Sequence, residues 1–137
     1  MGGAISVYKY GDGRLDSIQR ISSHVSFSAG DCANADIHIS PDGLFLYASN
    51  RDDNTIAIFS INQSAGILTH IGYQPVCGNH PRIFSLNPSG KFLLVANQLT
   101  GNVVVFKRDL KTGLLQKAGR KIKIRGASCV QIKNYND

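Results

Sequence analysis

Residues 35–50, ADIHISPDGLFLYASN, set the pattern from which the rest of the chain can be read. From Asp36 to Ser40 polar and apolar positions alternate. Ile37 and Ile39 fall on one side and Asp36 and His38 on the other, the period of a β-strand. Pro41-Asp42-Gly43 is turn chemistry, because Pro presets φ and Gly accepts φ > 0. Leu44 to Ser49 is a dense aromatic and aliphatic run, as in a packed strand, and Asn50-Arg51-Asp52-Asp53-Asn54 then breaks it. Residues 82–97, RIFSLNPSGKFLLVAN, write the same hairpin again. Pro41 maps onto Pro88, Gly43 onto Gly90, Phe45 onto Phe92, Leu46 onto Leu93 and Asn50 onto Asn97, at a constant offset of 47. The same offset carries Phe59 to Phe106, Gly66 to Gly113 and Leu68 to Leu115, so a second hairpin repeats in register with the first.

A period in the forties with several short strands in each period predicts an all-β chain of β-propeller blades, each of four antiparallel strands. One full blade spans residues 35–76, with turns at 41–43, 50–54 and 62–66. A second spans 82–123, with turns at 88–90, 98–102 and 109–113. Residues 1–21 resemble the second half of a blade, with Tyr8 in the place of Phe59, Gly13 in that of Gly66 and Leu15 in that of Leu68. Residues 22–34 and 77–81 read as connectors, 127–132 as the first strand of a further blade and 133–137 as a polar tail. The expected tally is eleven strands, about two and a half blades, in a single partial propeller domain. A propeller covers its blade faces by closing into a ring. An open set of blades leaves apolar faces and strand edges unpaired, so self-association, or completion by missing blades, is expected.

Composition narrows the partners. Fifteen Lys and Arg against nine Asp and Glu give a formal charge of +6, which favours anionic ligands. Lys121, Lys123 and Arg125 alternate with Ile122 and Ile124, as on an outer strand whose basic face blocks edge pairing. No aromatic interleaving accompanies them, so no nucleic-acid partner is expected. No apolar run approaches a membrane span and no secretory signal is present, so no membrane partner is expected either. Cys32, Cys77 and Cys129 are odd in number and lack C-x-x-C spacing, which fits a reduced, cytoplasmic protein. Acidic residues are few and scattered, so neither a metal nor another cofactor is expected. There is no G-x-S-x-G elbow, H-E-x-x-H pair or P-loop.

The stretches ADIHISPDGLFLYASNR and NHPRIFSLNPSGKFLLVANQLTGNVVVFKRDLKTGLL resemble the C-terminal part of the propeller-type 6-phosphogluconolactonase family, which also includes the fungal carboxy-muconate cyclase. The resemblance implies a seven-bladed propeller. Seven periods of this length make about 330 residues, so the chain corresponds to a little over a third of a member. It also implies hydrolysis of 6-phosphogluconolactone to 6-phosphogluconate in the pentose phosphate pathway, with a phosphorylated sugar lactone as the partner molecule. Two other readings stand beside it. One is a cycloisomerase or other sugar-lactone enzyme on the same scaffold; the other is a non-catalytic propeller fragment acting as an interaction module.

Strand direction selects the candidate site. In an up-and-down blade the start of the first strand and the loop after the second share a rim. That rim gathers Asp36, Arg51, His80 and Arg82, with Asn50, Asn97 and Gln98, while the Pro-Gly turns fall on the opposite rim. Lactone hydrolysis needs a base for water and donors for the oxyanion, and arginine suits a sugar phosphate. Asp36, Arg51 and Arg82 are therefore the expected catalytic set, with His38, His80, Asn50, Asn97 and Gln98 as substrate-binding residues. Each has a plainer alternative. Asp36 could order the connector, Arg51 could pair with Asp52 or Asp53, Arg82 could serve the strand alone, and His38, deeper on the side of Asp36, could be a packed, hydrogen-bonded histidine.

Overall fold

The computed structural model describes residues 3–25, 32–133 and 135. Its ten strands are β1 (Ala4–Gly11), β2 (Arg14–Ser22), β3 (Asn34–Ile39), β4 (Phe45–Asn50), β5 (Thr55–Ile61), β6 (Leu68–Pro75), β7 (Pro81–Leu86), β8 (Phe92–Asn97), β9 (Asn102–Arg108) and β10 (Leu115–Lys123). No helix occurs among the described residues. The strands form a two-stranded sheet, β1-β2, and two four-stranded antiparallel sheets, β3-β4-β5-β6 and β7-β8-β9-β10. The fold is all-β, a partial propeller, as the repeat requires. The expected connector 22–34 and the tail 133–137 lie partly outside the described residues.

The repeat is chemical as well as geometric. The Gly43 N–H donates to the Ser40 carbonyl and the Gly90 N–H to the Asn87 carbonyl, each at 2.8 Å. Both glycines have positive φ, 75° and 68°, which that turn position demands. Ser40 Oγ then accepts the Phe45 N–H as Asn87 Oδ1 accepts that of Phe92. In the next hairpin, Asn62 Oδ1 accepts two turn N–H groups, and Asp109 Oδ1 does the same one repeat later. Different side chains thus supply one acceptor at one place.

The apolar runs of β4 and β5 are buried on both faces, which is why their sequence loses the alternation seen in β3. Phe45, Tyr47, Ile56 and Ile58 pack toward the second blade with Phe84, Val95, Val104 and Phe106. Leu46, Ala48, Ala57 and Phe59 pack the other way, against Ile5, Val7 and Ile21 of the half blade. Burying each large side chain stabilises by roughly 1.5–3 kcal/mol, so the two interfaces hold the blades side by side.

One buried polar cluster spans the interface between the two blades. Arg108, 2% exposed at the end of β9, donates from Nε to Tyr47 Oη at 2.9 Å and from Nη1 to the Gly90 carbonyl at 3.1 Å. Its Nη2 pairs with Asp42, and Tyr47 Oη donates to the Gly113 carbonyl at 2.7 Å. Burial pushes the Tyr47 phenol up to about 12, against the opposing pull of Arg108. Burial alone would raise the Asp42 carboxyl, but bonds from Ser40 and Arg108 outweigh it and hold the group below its ordinary value.

Residues 127–132 depart from the expected strand. They are not in a ladder; Ala127 is buried and Val130 partly buried against Ala96, Val103 and Ile83 on the far face of the second blade. A strand exists by pairing its N–H and C=O groups, and this segment takes part in no ladder among the described residues.

Candidate functional site

β3 and β7 are the first strands of their blades, and each pairs with only one neighbour in its sheet. Their N-terminal ends therefore face one another across the inner rim instead of being covered by further strands. A cleft of about 380 Å³ opens between them, lined by Asn34, Ala35 and Asp36 from β3, Arg51 after β4, Arg82 and Ile83 from β7, and Ser128. The three residues expected to be catalytic thus share one cleft.

Asp36 is held from three directions. Its Oδ1 accepts the Ile37 N–H at 2.9 Å. Its Oδ2 accepts the Phe84 N–H of the next blade at 3.0 Å and lies 3.0 Å from His38 Nε2. The carboxylate is both a wall of the cleft and a link between blades. His38 stands on the same side of β3, its ring edge-on to Phe84 with centroids 4.9 Å apart. It is hydrogen-bonded yet not enclosed, with 43% of its side chain exposed. On the cation side, the Arg51 backbone N–H donates to the Ala33 carbonyl at 2.8 Å, which fixes the start of its loop. Arg51 Nε is buried without an acceptor among the described residues. Arg82 is exposed and lines the cleft from β7.

The other expected ligand contacts are not gathered there. Asn50 and Asn97 are completely buried. The Asn50 amide donates to the Ser23 carbonyl and to Thr55 Oγ1; that of Asn97 donates to the Val76 carbonyl and to Asn102 Oδ1. They fasten the outer end of the preceding blade to the start of β5 or β9, and neither lines the cleft. His80 has φ +64°, and its N–H donates to Asn54 Oδ1 at 2.7 Å. Gln98 donates its backbone N–H to the His80 carbonyl at 3.0 Å. Neither His80 nor Gln98 lines the cleft.

Asn34 and Ser128 line the cleft and were not singled out by the residue-level reading. Ser128 sits 47 residues after Pro81, so the offset was the available signal. Asn34 is anchored from behind: its Oδ1 meets His24 Nε2, and its amide donates to Ser23 Oγ at 3.0 Å. His24 is itself 2.8 Å from Asp53, which ties the connector to the β4–β5 turn. A larger hollow of about 460 Å³, with Lys107, Thr112, Leu114 and Gln116 in its lining, lies at the opposite end of the strands. The arginine in that wall, Arg108, is already committed to Tyr47, Gly90 and Asp42, so the smaller cleft has the better chemistry.

Residues 1–132 match the model of a family described as lactonase, seven-bladed β-propeller. A 6-phosphogluconolactonase of Formosa agariphila is 46% identical over 99% of this chain and 39% of its own length. One of Bacillus subtilis is 34% identical over 87% of this chain and 34% of its own. Among solved structures, the periplasmic gluconolactonase PpgL of Pseudomonas aeruginosa superposes with a TM-score of 0.89 at 32% identity, covering 95% of this chain and 36% of that one. A candidate 6-phosphogluconolactonase of Bacteroides fragilis gives 0.86 at 43% identity, covering 93% and 35%. The chain therefore spans between a third and two fifths of the length of these relatives.

Proposed function

The chain belongs to the seven-bladed β-propeller lactonase family, and from that premise we propose that the cleft of Asp36, Arg51 and Arg82 is part of an active site hydrolysing 6-phosphogluconolactone to 6-phosphogluconate, a step of the pentose phosphate pathway. The observation that carries the reading is the meeting, in one cleft, of a carboxylate and two arginines. Ester hydrolysis needs both halves. A proton acceptor at the carboxylate side receives the proton of the attacking water, whether the carboxylate itself or a group it holds, and the arginines meet the oxygen on which charge develops. The unmet donor of Arg51 and the exposed guanidinium of Arg82 suit the two anionic parts of this substrate, the nascent oxyanion and the phosphate. Three cations or donors on one phosphate are not required, since a single bidentate arginine already matches its geometry.

A phosphorylated sugar is retained where it is made, so the cytoplasm is the compartment this reading assigns. No helix among the described residues is long and apolar enough to cross a membrane. The likeness to a periplasmic gluconolactonase favours a second reading, an unphosphorylated aldonolactone in the same cleft.

One experiment separates the two. The whole polypeptide in which this chain is encoded is assayed on 6-phosphogluconolactone and on gluconolactone, with and without Arg82→Ala. Loss of one charge-assisted contact, about 1.5–3 kcal/mol, corresponds to a fall in kcat/KM of roughly 10- to 150-fold. That fall is expected on the phosphorylated lactone, with a much smaller one on its analogue. Equal losses on both substrates remove the phosphate role of Arg82, and hydrolysis no faster than the uncatalysed background removes the lactonase reading.

A further inference from the structure

Asp36 is the residue that sequence reasoning selects as the base, yet its oxygens are already engaged. Oδ1 receives the Ile37 N–H, and Oδ2 receives the Phe84 N–H and the His38 ring. A carboxylate bonded by three donors is well placed to orient a neighbour and poorly placed to take a proton from water.

His38 has the complementary arrangement. Its Nε2 is committed to Asp36 at 3.0 Å, and its ring is fixed edge-on against Phe84. In the neutral ring Nε2 then carries the hydrogen, because a carboxylate only accepts. Nδ1 is left with its lone pair and has no bonding partner among the described residues, on a side chain that is 43% exposed. β3 has no strand on its inner side, so nothing in the sheet covers this ring. His38 does not itself line the cleft; it stands two residues further along β3 than Asp36, about 7 Å on at the backbone, with Nε2 3.0 Å from the lining carboxylate.

We propose that His38 is the general base of this site and that Asp36 is its positioning residue; the assignment rests on the lactonase reading. Nδ1 takes a proton from a water molecule as the water oxygen bonds to the lactone carbonyl carbon. The carbonyl π pair moves onto its oxygen, toward the arginine wall. When that pair returns, the ring C–O bond breaks and the departing oxygen takes the proton back from Nδ1. One water is consumed, one hydroxyl and one carboxylic acid are formed, and the acid releases its proton to solvent. The charged or titratable groups around the imidazole are Asp36 on its own strand, Tyr47 directly across on β4, Arg51 beyond the end of β4, and Arg82 on the facing β7.

The test uses the whole polypeptide and 6-phosphogluconolactone over a pH series. His38→Asn is expected to lower kcat at least 100-fold with KM little changed, and to abolish the ascending limb of the pH profile. Asp36→Asn is expected to lower kcat while keeping that limb, because the imidazole loses the partner that orients it. A base at Asp36 predicts the reverse, with the limb lost in Asp36→Asn and kept in His38→Asn, and that result overturns the assignment. An active wild type whose His38→Asn variant stays within tenfold also overturns it while leaving the lactonase reading standing. An inactive wild type overturns both. Nitrogen-15 NMR of the wild-type imidazole gives a readout independent of turnover and of how the variants fold. It is expected to show hydrogen on Nε2 and a bare Nδ1; hydrogen on Nδ1 in the neutral ring refutes the assignment.

Discussion

Tyr47→Phe removes one oxygen from the centre of the inter-blade cluster and leaves the ring. The hydroxyl both donates to the Gly113 carbonyl and accepts from Arg108 Nε, so the variant leaves a buried carbonyl and a buried guanidinium N–H unmatched. Tyr47 is 0% exposed and Arg108 2%, which denies water easy access to either. A hydrogen bond to a charged group contributes about 1.5–3 kcal/mol and an orphaned buried acceptor costs about 1–3, so a combined loss of about 2.5–6 kcal/mol is expected. Urea unfolding followed by circular dichroism, at one fixed protein concentration, reads this directly. With a slope of about 2 kcal/mol/M the midpoint falls by about 1–3 M. Alkaline pH supplies a second signature. The folded phenol sits at about 12 and the unfolded one near 10.0, so the unfolded chain sheds its proton first. The stability contribution is complete below pH 10 and is lost as pH climbs through 12, by roughly 3 kcal/mol for a shift of about two pH units. The variant lacks this titration, so its deficit relative to wild type shrinks across that window. A deficit below about 0.5 kcal/mol, or one that stays constant from pH 9 to 12, refutes the account.

Two further expectations follow from backbone and surface. Gly13 and Gly113 share φ +74°, but an added Cβ meets nothing within 4 Å at Gly13 and lies 2.3 Å from Phe45 Cδ1 at Gly113. Gly13→Ala is therefore expected to cost only the left-handed penalty of about 1–2 kcal/mol, and Gly113→Ala about 1–3 kcal/mol more, by the same urea titration; equal costs would mean that Phe45 moves aside freely. Sedimentation at micromolar concentration is expected to show association, because Tyr10, Leu15, Ile37 and Ile39 are 73%, 65%, 49% and 59% exposed and β1 pairs only with β2. A cooperative monomer would show that these surfaces need no cover.

What was legible in the sequence is what the blade repeats. The turns at Gly43 and Gly90 and the double acceptors at Asn62 and Asp109 recur at a fixed offset because every blade needs them. Asn50 and Asn97 recur for the same reason, since each fastens its blade to the preceding one. The cleft residues behave oppositely. One repeat later Asp36 becomes Ile83, Arg51 becomes Gln98, Arg82 becomes Cys129 and His38 becomes Ser85. A pocket needs a group once, so its residues stand where the copies disagree. Which atom of a disagreeing residue is already bonded is not written in the pattern; the bond from Phe84 N–H to Asp36 joins residues 48 apart and depends on how two blades dock. The segment 127–132 has strand-like residues, but pairing is a property of two segments, and one segment's composition cannot supply the other.

The Tyr47–Arg108 contact also breaks the repeat, and this has a bearing on assembly order. Their counterparts are Leu94 and Ile61, so at these positions the first blade has no arginine to offer and the second has no phenol. Near-identical modules carry a standing hazard of docking in the wrong sequence, or onto the equivalent module of another molecule. An exchange here would set the guanidinium against Leu94, or the phenol against Ile61, and strand a polar group in an apolar seam. The contact therefore works as a key cut for one lock. It makes two otherwise interchangeable blades distinguishable and tells the folding chain which of them comes next.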